Sequence, residues 1–307
     1  MNDNTLSNNR KPIPYLDRIR AYYQALGYGE PYRWASQEEV PFTPLKRNLS
    51  EYRVAILTTA APHQDDKGDQ GPGAAYNGSA KFYRVYSLSI DSEPELRISH
   101  IAYDRDHTSA EDMNCWFPLA LMKQFSARGE IGQMPPRFHG LPTNRSQKTT
   151  LEQDCPDVLE RLREDGAEAA VIVPNCPVCH QTAALTASYL EGSGLSTVIM
   201  GCARDIIEHV GAPRFLFSDF PLGNSAGKPH DPASREQTLR LALKLLKEAT
   251  APRTTIQSPL LWADNDEWKM DYSNIECLSD EEIALRRREF DVQKENAKQE
   301  KKEATLF

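Results

Sequence analysis

The stretch AAVIVPNCPVCHQTAALTASYLEGSG, residues 169–194, followed by LSTVIMG at 195–201, decides how this chain folds. Ala169 to Val173 is a short apolar run with β-branched residues, the pattern of a strand covered on both faces. Pro177 suits the first turn of a helix, where its fixed φ fits and its missing N–H costs nothing. A second apolar run then follows. Strand, helix and strand in this order make a parallel unit, because parallel neighbours require a crossover connection.

The same alternation extends outward. RVAILTTA (53–60), FYRVYSLSI (82–90), LRISHIAY (96–103) and RFLFSDF (214–220) read as further strands. Pro118 and Pro156 are placed to open helices through LALMKQFSARG and DVLERLREDG, the second stopped by Gly166, and DIIEHVG is helical. Asp231 and Pro232 cap a last core helix with Leu239, Ala242, Leu243 and Leu246 on one face. The expectation is an α/β fold, a three-layer sandwich with a mostly parallel sheet. Three regions are expected: an N-terminal helical and extended arm (1–50), the α/β core (51–250) and a C-terminal extension (251–307). In the arm, Leu16, Ile19, Tyr23 and Leu26 form a helical stripe ended by Gly27. The tail SDEEIALRRREFDVQKENAKQEKKEATLF is highly charged with few apolar anchors, and a frayed helix or a disordered end is expected there.

With 44 acidic against 36 basic residues and a net charge of −8, the chain offers no broad cationic surface, which argues against nucleic acid as a partner. The opening MNDNTLSNNRKP lacks the apolar core of a secretory signal, and no apolar run is long enough for a bilayer span. A cytoplasmic location without membrane association is expected, with the six cysteines mostly as thiols.

Within the opening stretch, CPVCH at 176–180 admits three chemistries. Haem attachment normally requires export. Structural zinc needs four ligands, and no second CxxC or HxxxH accompanies the motif, so no metal site is assigned; an irregular one would have to recruit Cys115, Cys155, Cys202 or distant histidines. A redox dithiol fits the context best. With Pro177 in the first turn, Cys176 falls near the N-cap and Cys179 one turn inside, so the sulfurs approach each other over free backbone N–H groups that favour a thiolate. Cys176 is then the nucleophile and Cys179 the resolving thiol, against the plain alternative of two small buried residues at a strand end. His180 is a proton donor or a cap of the turn, although on a helix it points about 100° away from Cys179.

Several separate motifs, VPNCPVCHQT, DMNCWFP, FSDFPLGNSAGKPHDP and YLDRIRAYYQALGYGEPYRW, together resemble the selenoprotein B family of glycine, sarcosine, betaine and D-proline reductases, in its shorter D-proline reductase-like branch. The resemblance spans nearly residues 12 to 250. Where that family often carries selenocysteine, this chain has Cys176, with Pro177 and Cys179 matching, so a cysteine-containing variant is implied. The resemblance implies reductive cleavage of a C–N bond in a small amine or amino acid, with the oxidised pair reset by a dithiol such as a thioredoxin-like protein. It also implies that no cofactor is bound in this chain and that a pyruvoyl group comes from a partner subunit, since no pyruvoyl precursor segment is evident here. A thiol is less ionised than a selenol and a poorer leaving group, so thiol/disulfide or peroxide reduction is the easier alternative, and a non-catalytic redox-sensing or zinc-binding subunit is another.

Two loops complete the expected site. DRDHTSAEDMNCWFP carries Asp104, Asp106, His107, Asp112, Asn114 and Cys115 ahead of Pro118, either as a substrate loop or as ordinary capping. DFPLGNSAGKP carries Gly223, Asn224, Gly227 and Lys228, where backbone N–H groups and an ammonium suit a carboxylate. Asp112, Asn114, Cys115, Gly223, Asn224 and Lys228 are the expected substrate-binding residues. Cys202, after LSTVIMG, is either a third relay thiol or a packed residue. No GxGxxG or GxxxxGK[ST] element supports a nucleotide site.

Overall fold

The computed structural model describes residues 10–98 and 100–305. The first nine residues of the polar start, Ser99 within the LRISHIAY strand candidate, and the last two residues of the tail lie outside the described residues.

In chain order the elements are α1 (Tyr15–Ala25), β1 (Val54–Thr58), β2 (Ala61–Pro62), β3 (Tyr86–Ser89), β4 (Leu96–Arg97), α2 (Leu119–Ala127), β5 (Arg137–Gly140), α3 (Gln147–Thr149), α4 (Cys155–Glu164), β6 (Ala169–Val173), α5 (Pro177–Gly192), β7 (Ser196–Gly201), α6 (Arg204–Val210), β8 (Arg214–Phe217), α7 (Pro232–Glu248), β9 (Thr254–Gln257) and α8 (Asp280–Thr305). Seven strands form the main sheet in the order β3-β5-β1-β6-β7-β8-β9. Only β3 runs antiparallel to its neighbour. The apolar runs at 54–58, 169–173 and 196–201 are buried along their whole length, as two-sided coverage requires.

Successive side chains of each strand supply opposite layers. Ala55, Leu57, Ala170, Ile172 and Ile199 pack with residues of α1, α4, α5 and α6, whereas Val54, Ile56, Val171, Val198 and Met200 pack with α2 and α7. The result is the expected three-layer arrangement. Leu239, Ala242, Leu243 and Leu246 are buried on α7, whose N-terminus is capped by Asp231 accepting from Ser234 N–H at 3.0 Å. Pro118 stands at the cap of α2 rather than inside its first turn.

Two strands of the main sheet had no expectation attached. RFHG (β5) is short, polar at its ends and terminated by Gly140, and TTIQ (β9) is half-buried on the sheet edge, so neither carries a two-sided apolar run. Conversely, among the described residues of LRISHIAY only Leu96 and Arg97 form a strand, β4, paired with β2. Asp280–Thr305 of the charged tail form one continuous helix, α8, docked against residues 78–80.

The chain reverses direction across the sheet at β1. From β1 it reaches β5 on one side, then crosses back through α4 to β6 on the other and continues outward to β9. Loops leaving the carboxyl ends of β1, β5 and β6 therefore diverge around a crevice, the usual ligand position in open α/β sheets.

Candidate active site

Cys176 follows β6 at this crevice. Its backbone is extended (φ −135°, ψ 170°), it is the N-cap of α5, and Pro177 takes the first helical position. Cys179 N–H donates to Cys176 Sγ at 3.3 Å, the capping contact the spacing predicts. The turn is fixed from both sides: Asn175 N–H donates to Thr59 Oγ1 at 3.1 Å, and the Ser225 hydroxyl donates to the Pro174 carbonyl at 2.7 Å.

The two sulfurs lie 2.6 Å apart and both are buried, Cys179 completely. They are free thiols. Burial opposes ionisation of both. For Cys176, burial combines with the neighbouring sulfur to hold its pKa well above the usual thiol value. For Cys179 the burial penalty is outweighed by hydrogen bonding from Cys176, by His100 and by the Thr143 hydroxyl at 3.3 Å, and its pKa lies well below that value. A helix N-terminus favours a thiolate, and the additional donors converge on the inner sulfur.

Above Cys176 is a cavity of about 260 Å³. Its lining includes Ala61 beyond β1, Thr143 and Arg145 beyond β5, Cys176 and Val178 beyond β6, and Phe290, Lys294 and Ala297 of α8. Lys81, Arg145 and Lys294 line it without any Asp or Glu among the described lining residues, although the chain is acidic overall. Burial, reinforced by the charge of Arg145, brings the Lys81 ammonium down to about 8. Among the described residues Arg145 has no carboxylate partner; it donates to the Tyr23 hydroxyl at 3.2 Å and lies over the rings of Tyr23 and Tyr32. A low-dielectric cavity with unneutralised cations attracts an anion. A neighbouring cavity of about 650 Å³ shares Tyr76, Arg145, Val178 and Phe290 with it.

His180 is completely buried and occupied with backbone. Its Nδ1 lies 2.8 Å from the Cys176 carbonyl, while Nε2 accepts from the N–H groups of Cys202 and Ala203 at 2.9 and 3.2 Å. Burial pushes its pKa down to about 4, so the ring is neutral and ties the start of α5 to the turn after β7. Asp112 caps the turn Met113–Cys115, accepting from Asn114 N–H, and pairs with Arg235. Asp112, Cys115 and Asn224 do share a cavity, of about 210 Å³, but it lacks Cys176. A Cβ on Gly223 would stand 3.5 Å from the side chains of Tyr103 and Thr108, and Lys228 Nζ donates to the Leu261 carbonyl at 3.3 Å. Burial raises the thiols of Cys115, Cys155 and Cys202 to about 12, and Cys202 Sγ contacts Ser225 rather than the dithiol. Asp104, pushed up to about 6 by burial despite its bond to His107, lines the larger cavity with Asp106.

The residues that sequence reasoning missed are His100, Thr143, Arg145 and Lys81. His100 comes within reach of both sulfurs. Its backbone is held by Arg105, which donates to the carbonyls of His100, Ile101 and Ala74 at 2.6, 3.2 and 2.7 Å. None of the four stands near CPVC in the chain; a lysine and an arginine in loops between strands carried the only signal.

Among the described residues no helix is long and apolar enough to cross a membrane. No family model matches the chain, and no solved structure matches it. Over 220 residues, 71% of this chain and 88% of the relative, the sequence is 27% identical to D-proline reductase subunit gamma of Acetoanaerobium sticklandii. The similarity is distant and spans most of both chains.

Proposed function

We propose that the chain is the dithiol-bearing subunit of a reductase that cleaves a C–N bond in a small anionic amine, such as an amino acid. The observation that carries this reading is the position of Cys176 in the lining of a cavity with three cationic side chains and no acidic one among its described lining residues. The relative's role in a D-proline reductase supplies the reaction class.

In the proposed cycle Lys81 and Arg145 hold the substrate carboxylate. The Cys176 proton moves the 2.6 Å to Cys179, and the Cys176 thiolate attacks the α-carbon. The C–N bonding pair leaves with nitrogen, which takes the proton from Cys179 and so leaves that sulfur a thiolate, and a C–S bond forms. Cys179 then attacks Cys176 sulfur: the C–S pair departs with carbon, which is protonated, and a disulfide remains. Substrate gains two electrons and the thiol pair loses two. A dithiol reductant of the thioredoxin-like class resets the pair by exchange. An amine is a poor leaving group, and a pyruvoyl-bearing partner subunit that converts it to an imine supplies the activation this chain lacks.

Single turnover of the reduced chain with D-proline and related amino acids, in the presence and absence of a pyruvoyl-bearing subunit, tests the reading. One disulfide is expected per product formed. Cys179→Ser should accumulate a substrate thioether on Cys176, detectable by mass spectrometry, and Cys176→Ser should form neither adduct nor product. Turnover that survives Cys176→Ser would reject the proposal. So would oxidation of the pair by peroxide or a disulfide with every amine left intact, which would make the protein a thiol or peroxide reductase.

A further inference from the structure

His100, Cys176 and Cys179 form a cluster whose three ligand-type atoms all lie within 4.8 Å of one another. They come from separate parts of the chain, the loop after β4 and the first turn of α5, so helix geometry alone does not explain their meeting. Among the described residues, His100 Nδ1 is buried without a hydrogen-bond partner, which is costly for an imidazole unless something else satisfies it.

We propose that the reduced protein binds one thiophilic divalent cation of the zinc class through His100, Cys176 and Cys179, with a fourth position open to the cavity. Two thiolates and an imidazole are the donor set that zinc prefers, whereas magnesium and calcium require oxygen ligands. Cys176 and His100 line the cavity, so the vacant position faces space where a small molecule fits. The surrounding shell is suited to sulfur ligation: Cys179 N–H donates to Cys176 Sγ, and the Thr143 hydroxyl contacts Cys179 Sγ. Tetrahedral coordination with Zn–S of about 2.3 Å separates two sulfurs by about 3.8 Å, so the pair must part by roughly 1 Å on loading. Binding releases the thiol protons to solvent, and the two thiolates neutralise the dication. With Lys81 and Arg145 nearby, the ligand favoured at the fourth position is an anion.

This site goes beyond the reductase reading and is mutually exclusive with its oxidised state, because a disulfide offers no thiolates. The cation thus sequesters the dithiol in its reduced form and blocks its oxidation.

Zinc sulfate titrated anaerobically into reduced, chelator-treated full-length protein, with bound metal measured after equilibrium dialysis, provides the test. One zinc per chain is expected for the reduced protein and none for the disulfide form. His100→Ala should weaken binding by about tenfold or more, as loss of one of three protein ligands implies. Cobalt in place of zinc should give a sulfur-to-metal charge-transfer band that Cys176→Ser diminishes. His100→Ala should still form the Cys176–Cys179 disulfide, which shows an intact fold and reports on the redox pair separately from the metal. Equal zinc affinity in wild type and His100→Ala, or undiminished binding by Cys176→Ser, would overturn the proposal.

Discussion

Lys81 illustrates how one side chain acquires a role from its surroundings. Its ammonium lies in the dithiol cavity beside Arg145 and titrates at about 8, lowered first by burial. The charge that would hold a carboxylate is therefore present below pH 8 and lost as pH rises through that value. For an anionic substrate, KM should increase above about pH 8, and Lys81→Met should raise KM by roughly 10- to 100-fold at pH 7 while removing that pH dependence. A steady-state KM profile of both proteins from pH 6 to 10 checks this.

His180 makes a different prediction. Its folded pKa of about 4 lies below the ordinary histidine value, so its neutral clamp is fully present above about pH 6.5 and is lost as pH falls toward 4. That change amounts to at most about 3 kcal/mol. The stability gap between wild type and His180→Asn should narrow over this window, as urea denaturation at several pH values would show. The N-cap position of Cys176 was legible in the sequence because Pro177 and the i,i+3 cysteine spacing are local. The roles of His100, Thr143 and Lys81 were not, because their proximity to sulfur is created by the sheet crossing and by loop packing.

At the scale of elements, α8 departs furthest from what its sequence suggests. The helix has few apolar anchors because it is held largely by polar contacts: Lys67 Nζ to Glu300 at 2.7 Å, Tyr28 hydroxyl to Asp291 at 2.6 Å, and Gly78 N–H to Gln293 Oε1 at 2.8 Å. Periodicity of hydrophobic residues does not register such an interface. Gly78 permits the closest approach, since a Cβ there would stand 2.3 Å from the Gln293 carbonyl oxygen. Gly78→Ala should therefore displace the helix and expose Cys176. Alkylation of the reduced protein by iodoacetamide should accelerate by about tenfold, equivalent to ~1.4 kcal/mol of lost closure. An unchanged rate would show that this contact does not seat the helix. The buried strands were legible for the opposite reason: a run such as Ala169 to Val173 advertises its two-sided burial in the residues themselves.

Across the whole molecule, an ion pair joins the arm to the sheet. Arg214 on β8 and Glu191 on α5 are completely buried and 2.5 Å apart. Glu191 also accepts from Thr197 N–H and from Thr43 N–H in the arm, while Arg214 donates to the Thr43 carbonyl at 2.9 Å and lies 4.0 Å over the Phe42 ring. Removing one partner leaves a buried charge uncompensated, so Arg214→Met should cost about 3–5 kcal/mol, whereas Arg214→Met with Glu191→Leu should recover part of that loss. Denaturant midpoints for the single and double variants decide it. The parallel architecture followed from one strand-helix-strand unit repeated along the chain. The reversal at β1, which places the crevice, did not, because strand order depends on long-range pairing that no local pattern records.

The helix beside the cavity has a consequence for electron supply. Cys176 is only 3% exposed, and α8 lines the cavity above it. A protein-sized donor must bring its own sulfur into line with this one to exchange a bond, and a packed helix beside the cavity narrows that approach. A free dithiol small enough for the cavity meets less obstruction, so it should regenerate the pair faster than a protein donor does.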